Sequence, residues 1–158
     1  MSRICQIDID DSNLPPPTPE IEQERRVAIF DLLEENSFTP LRAGVSVPEG
    51  PYRLSLCIRE RRLVMDIAAE DGAEVGAIQL ALGPFRQVVK DYAQICESYF
   101  DAVKSMPASQ IETIDMARRG IHNEGARLLV ERLEGKAELD IDTARRLFTL
   151  ICVLNVGG

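Results

Sequence analysis

The sequence predicts an α+β protein in which a small antiparallel sheet is followed by a helical half. Three observations carry this. Apolar and polar residues alternate in three runs between residues 52 and 82, which suits half-buried strands. After Gly83 the apolar spacing changes to steps of three and four, the period of an amphipathic helix. The closing run "LFTLICVL" is apolar almost all round, as in a helix buried among other elements. The 158 residues suit one domain, 1–158, large enough to bury a core without disulfides or metal.

"RICQIDID" sets Cys5, Ile7 and Ile9 on one face and Gln6, Asp8 and Asp10 on the other, a short strand that can join the sheet at an edge. "LPPPTP" then stops regular structure, because proline lacks an N–H and locks φ. Thr18 caps the next helix with Pro19 at its first position, and Ile21, Ala28 and Leu32 form its stripe beside Val27, Ile29 and Leu33. Residues 40–51, rich in Pro and Gly, read as loop.

The meander follows. Its inward sets are Tyr52, Leu54, Leu56 and Ile58, then Leu63, Met65 and Ile67, then Ile78, Leu80 and Leu82. Asp71-Gly72 signals a tight turn whose two central residues take positive φ. Pro84 opens a helix striped by Phe85, Val88, Tyr92, Ile95, Tyr99 and Val103. Pro107 opens the next, running to about Glu134 with Gly135 as a left-handed cap, and Asp142 caps the last. One N-terminal and three C-terminal helices thus pack around residues 147–154.

A net charge of −8 argues against nucleic acid and against an anionic membrane surface as partners. Fifteen of the 18 basic residues are Arg, with pairs at 25/26, 61/62, 118/119 and 145/146, and guanidinium grips carboxylate and phosphate through a planar fork. Cys5, Cys57, Cys96 and Cys152 lie far apart and read as free thiols of a reducing compartment, the cytoplasm. The start "MSRICQIDID" has no basic-then-apolar leader, and no run of about 20 apolar residues occurs.

One His and four dispersed Cys do not make a tetrahedral zinc site, and no phosphate-binding glycine loop or nucleophile elbow is written in the chain. Neither metal nor cofactor is expected. Asp8, Asp10 and Asp11 have the spacing of a phosphotransferase acid pair, but that chemistry belongs to a parallel α/β sheet.

The stretch "IDMARRGIHNEGARLLVERL" carries the strongest candidate site. Ile111, Ile114, Ile121, Leu128 and Leu129 define its apolar side, and Asp115, Arg118 and His122 fall within or beside that stripe at spacings of three and four. One reading makes His122 a proton carrier oriented by Asp115, with Arg118 and Arg119 holding an anion; Gly120 and Gly125 would let a ligand or backbone approach. The other is a buried polar network that fixes one helix packing, and the spacing favours it because no nucleophile accompanies the histidine.

The runs "RRVAIFDLLEENSF", "PYRLSL", "PFRQVVKDYAQICESYF", "SQIETIDMARRGIHNEGARLL" and "DTARRLFTLICVL" resemble uncharacterised protein family two-six-two, short bacterial proteins without an assigned activity. They cover most of the chain beyond the proline run. The resemblance implies a bacterial cytoplasmic protein and carries no catalytic residue across.

Two functions follow from the sequence. The first is a soluble, non-enzymatic interaction or regulatory module, with a protein partner and self-association both open. The alternative is a protein binding a small anion (phosphate, nucleotide or carboxylate), or an enzyme acting on one, through Asp115, Arg118, Arg119 and His122.

Overall fold

A computed structural model describes residues 2–12, 14–41 and 47–154. The first elements are β1 (Ile4–Ile9), α1 (Pro19–Glu34) and β2 (Phe38–Pro40), followed by β3 (Tyr52–Arg59), β4 (Arg62–Ala69) and β5 (Glu74–Ala81). A 3-10 turn at Gly83–Phe85 leads into α2 (Arg86–Ser105), α3 (Ala108–Arg132), β6 (Ala137–Leu139) and α4 (Ile141–Leu154). The fold is the expected α+β.

β3, β4 and β5 form the antiparallel meander, and β1 joins it at the β3 edge, giving the order β1-β3-β4-β5. β1 runs parallel to β3, because parallel neighbours need a crossover and α1 supplies it. The register slips between Ile4 and Gln6, so Cys5 sits at a bulge and Ile4, not Cys5, turns into the core beside Ile7. Asn36 then brackets the strand: its Oδ1 accepts from Ile4 N at 2.7 Å and its Nδ2 donates to Ile4 O at 2.9 Å. A side-chain amide thus takes the place of a neighbouring strand's peptide and ties the end of α1 to the sheet.

Other elements differ from the sequence reading for local reasons. Positive φ appears at Glu60 and Arg61, in the two-residue turn between β3 and β4, whereas at Asp71-Gly72 only the glycine adopts it. Asp71 Oδ1 instead accepts from Ala73 N, which shapes the second turn around a single left-handed residue. The expected loop at 40–51 begins inside β2, and residues 42–46 lie outside the described ones. β2 pairs with β6, a strand of three residues too short to show a period. The cap of α4 is Asp140 and not Asp142: Asp140 Oδ1 accepts from Thr143 N at 2.9 Å, and Asp142 lies inside the first turn.

Thr18 caps α1 through its hydroxyl, which accepts from Ile21 N, with Pro19 following as expected. On α2 the buried residues are Val88, Val89, Tyr92, Cys96 and Ala102, so the stripe drifts and leaves Val103 53% exposed. α4 is buried on nearly every side, with Leu147, Phe148, Leu150, Ile151 and Leu154 at 2% exposure or less. One apolar cluster joins these residues to the sheet face at Leu54, Leu56, Leu63 and Met65.

α3 packs against α4 at Gly125, where an added Cβ would overlap the Phe148 ring. At Gly120, by contrast, nothing stands within 4 Å. Gly125→Ala should therefore destabilise by about 1–3 kcal/mol through overpacking, while Gly120→Ala should be neutral or stabilise by up to about 1 kcal/mol, both read from denaturant unfolding. By the same measurement, Leu147→Ala and Ile151→Ala should each cost about 2–5 kcal/mol; losses under about 1 kcal/mol would contradict the buried last helix.

Candidate functional site: an arginine-lined cleft between helices

The Gly125–Phe148 contact brings the polar residues of α3 and α4 face to face. His122 Nε2 lies 2.8 Å from Thr149 Oγ1. Thr149 Oγ1 also lies 3.2 Å from the Arg145 carbonyl oxygen, so the hydroxyl joins the imidazole to the α4 backbone. The ring stands 5.2 Å from that of Tyr92 and 5.7 Å from that of Phe148. Burial, joined by the charges of Arg145, Arg118 and Arg146, lowers the His122 pKa to about 4 against the opposing pull of an Arg145 backbone hydrogen bond. At neutral pH the imidazole is uncharged and a weak base, which argues against a proton-carrying role.

The other predicted residues gather at the same place. Arg118 donates to Asp115 Oδ1 from Nε at 3.2 Å and from a terminal nitrogen at 2.6 Å, and its guanidinium lies 4.5 Å from the centre of the Tyr99 ring. Arg119 pairs with Asp115 Oδ2 at 3.0 Å and is largely exposed. The Arg118 hydrogen bond, above all, holds the Asp115 carboxyl below its usual range. Asp115 thus buttresses two arginines and does not orient the histidine.

Sequence reasoning missed the α4 half. Arg145 donates from Nε to Asn123 Oδ1 at 2.7 Å and pairs with Asp142. Arg146 donates to the Asp142 carbonyl at 2.9 Å, and among the described residues its buried Nε has no hydrogen-bond partner. A signal was present: positions 118–123 and 145–149 lie at similar distances on either side of Gly135, so consecutive helices packed back on each other bring the two Arg pairs together.

The result is a cleft of about 560 Å³. Arg118, Arg119, Arg145 and Arg146 line one wall with His122 and Thr149, while Glu20, Glu24 and Asp31 of α1 line the opposite one. Tyr92 also lines the cleft, its hydroxyl donating to Glu24 Oε1 at 2.6 Å.

The acids after β1 are tied up locally. Asp10 Oδ1 accepts from the Ser12 hydroxyl and amide, which lowers its pKa, and Asp11 pairs with Arg25 at 2.6 Å.

Residues 1–157 match the model of an uncharacterised protein family, UPF0262. The chain belongs to that family. Curated UPF0262 proteins similar to it include one from Ruegeria pomeroyi, 73% identical over all of this chain and 99% of its own length. Another, from Ruegeria sp. strain TM1040, is 74% identical over the full length of both chains. A third, from Paracoccus denitrificans, is 73% identical over 99% of this chain and 97% of its own length. No solved structure matches the chain. The family match fixes a bacterial protein, as the resemblance implied, and among the described residues no helix is long and apolar enough to cross a membrane.

The His122 environment has a measurable signature. Its pKa is below the unfolded value of 6.5, so the stability tied to a neutral imidazole is fully present above pH 6.5 and lost as pH falls toward about 4. The loss should total about 2–3 kcal/mol. His122→Gln should flatten this part of the stability profile relative to the parent in denaturant unfolding from pH 7 to 4.

Proposed function

We propose that this UPF0262 protein binds a small organic carboxylate, a monoanion, in the four-arginine cleft. The observation that supports it is Arg146, whose buried Nε has no hydrogen-bond partner among the described residues and which lines the cleft with three other arginines. Three of those are held in position by Asp115, Asp142 and Asn123, which fixes a set of donors before any ligand arrives. The carboxylates of Glu20, Glu24 and Asp31 across the cleft repel polyanions and accept hydrogen bonds from hydroxyl or amine groups, so a single negative charge suits the space.

The neutral His122 completes the wall as a packed element held by Thr149, so the reading is binding without chemistry. It suits a non-enzymatic regulatory module whose protein partner responds to occupancy. Free cysteines at four positions support a reducing, cytoplasmic setting.

Thermal unfolding of the full chain with butyrate, glycerol phosphate, inorganic phosphate and a nucleoside triphosphate tests this. Butyrate should raise the midpoint more than the two phosphates, which are largely dianionic, and the triphosphate should not raise it. Arg146→Ala should keep the unliganded midpoint but weaken binding by about 1.5–3 kcal/mol, the range for a charge-assisted hydrogen bond. No shift with any anion would overturn the reading.

A further inference from the structure

A second cleft of about 430 Å³, lined by residues of α1, α2 and the end of α4, adjoins the arginine cleft and shares Glu20, Glu24, Tyr92 and Phe100 with it. Its character differs: Ile21, Ala93, Cys96, Phe100, Cys152 and Val153 supply an apolar lining, and the charged groups of Glu97, Asp101 and Lys104 stand among them. Burial raises the Cys96 pKa to about 11 and that of Cys152 well above its ordinary value, so at neutral pH both thiols stay protonated and serve as apolar wall. Tyr92 is likewise kept neutral, with burial and Glu24 both raising its pKa.

From these shared lining residues we infer that the ligand is an amphipathic monoanion with a single alkyl chain, such as a medium-chain carboxylate. Its head lies among Arg118, Arg119, Arg145 and Arg146, and its tail passes Tyr92 into the cleft walled by Ile21, Phe100 and Val153. The inference rests on the anion-binding reading above and adds the chemistry of the remainder of the molecule. Charge sets the direction. The arginine wall attracts the head, whereas at the other end Glu97 and Asp101 outweigh Lys104 and leave a net negative charge that repels the head and spares a neutral tail. The two spaces fall in the range of small-molecule sites, roughly 300–1,000 Å³ in general, with apolar lining and a few convergent polar groups.

Titration calorimetry of the full chain with butyrate, hexanoate, octanoate and decanoate separates head from tail. Affinity should rise roughly fourfold for each methylene buried, until the second cleft is filled, and then level off. Ala93 is exposed on α2 and lines only the second cleft, so Ala93→Phe fills it with little strain on folding. That variant should keep butyrate affinity and lose the dependence on chain length, while Arg146→Ala should weaken all four acids by the same factor. Arg146-dependent binding that is flat from butyrate to decanoate would overturn the tail assignment and leave the anion site standing. An unchanged chain-length dependence in Ala93→Phe would overturn its location. Absence of binding by every acid would overturn both readings.

Discussion

The close approach of α3 to α4 at Gly125 and Phe148 is the constraint on which the rest depends. A helix backbone can lie against an aromatic ring only where no Cβ intervenes, and Gly125 meets that need at the one level where Phe148 projects. The Phe148 ring then meets Tyr92 edge-on at 5.9 Å and His122 at 5.7 Å, joining α2, α3 and α4 around one aromatic group. The depth of this contact sets which polar residues of the two helices can touch. His122 reaches Thr149 and Asn123 reaches Arg145 as a consequence.

Around that contact, charge is arranged by short-range pairing. Asp115 holds Arg118 and Arg119 at spacings of three and four on α3, and Asp142 holds Arg145 at a spacing of three on α4. Pairs of this kind add little stability when exposed, so their effect is geometric: long flexible side chains are confined to one side of their helix. The confined positive charges, with burial, also settle the state of His122. The question raised by the sequence, working site or brace, therefore divides by residue. His122 is packed against Thr149 between aromatic rings, and Asp115 is spent on Arg118 and Arg119.

Much of this was legible in the sequence, where local pattern and tertiary demand agree. The meander followed from alternation, because each strand of 52–81 has one face in the core. The N-terminus of α1 followed from Thr18 and Pro19, whose effects are local. What escaped was decided by distant partners or by segments too short to carry a period. β2 and β6 exist because they pair with each other across about a hundred residues, and three positions cannot show alternation. Asp140 was passed over for Asp142 because both are acids at the start of the same helix, and only the backbone path shows which side chain faces the free amides. In the site, the α3 half was visible as a break in an apolar stripe, whereas Arg145 and Arg146 looked like surface charge until the helices were laid side by side.

The β2–β6 ribbon has one further consequence. It joins the segment leaving α1 to the segment entering α4, and Thr143 Oγ1 reinforces it by accepting from Ser37 N at 3.0 Å. The C-terminal end of α1 is therefore clamped to the helix that bears two of the arginines, while its other end continues into the proline run. Of the acids of α1 that line the cleft, Asp31 thus stands nearest the anchored end, and Glu20 and Glu24 nearest the end that follows the prolines.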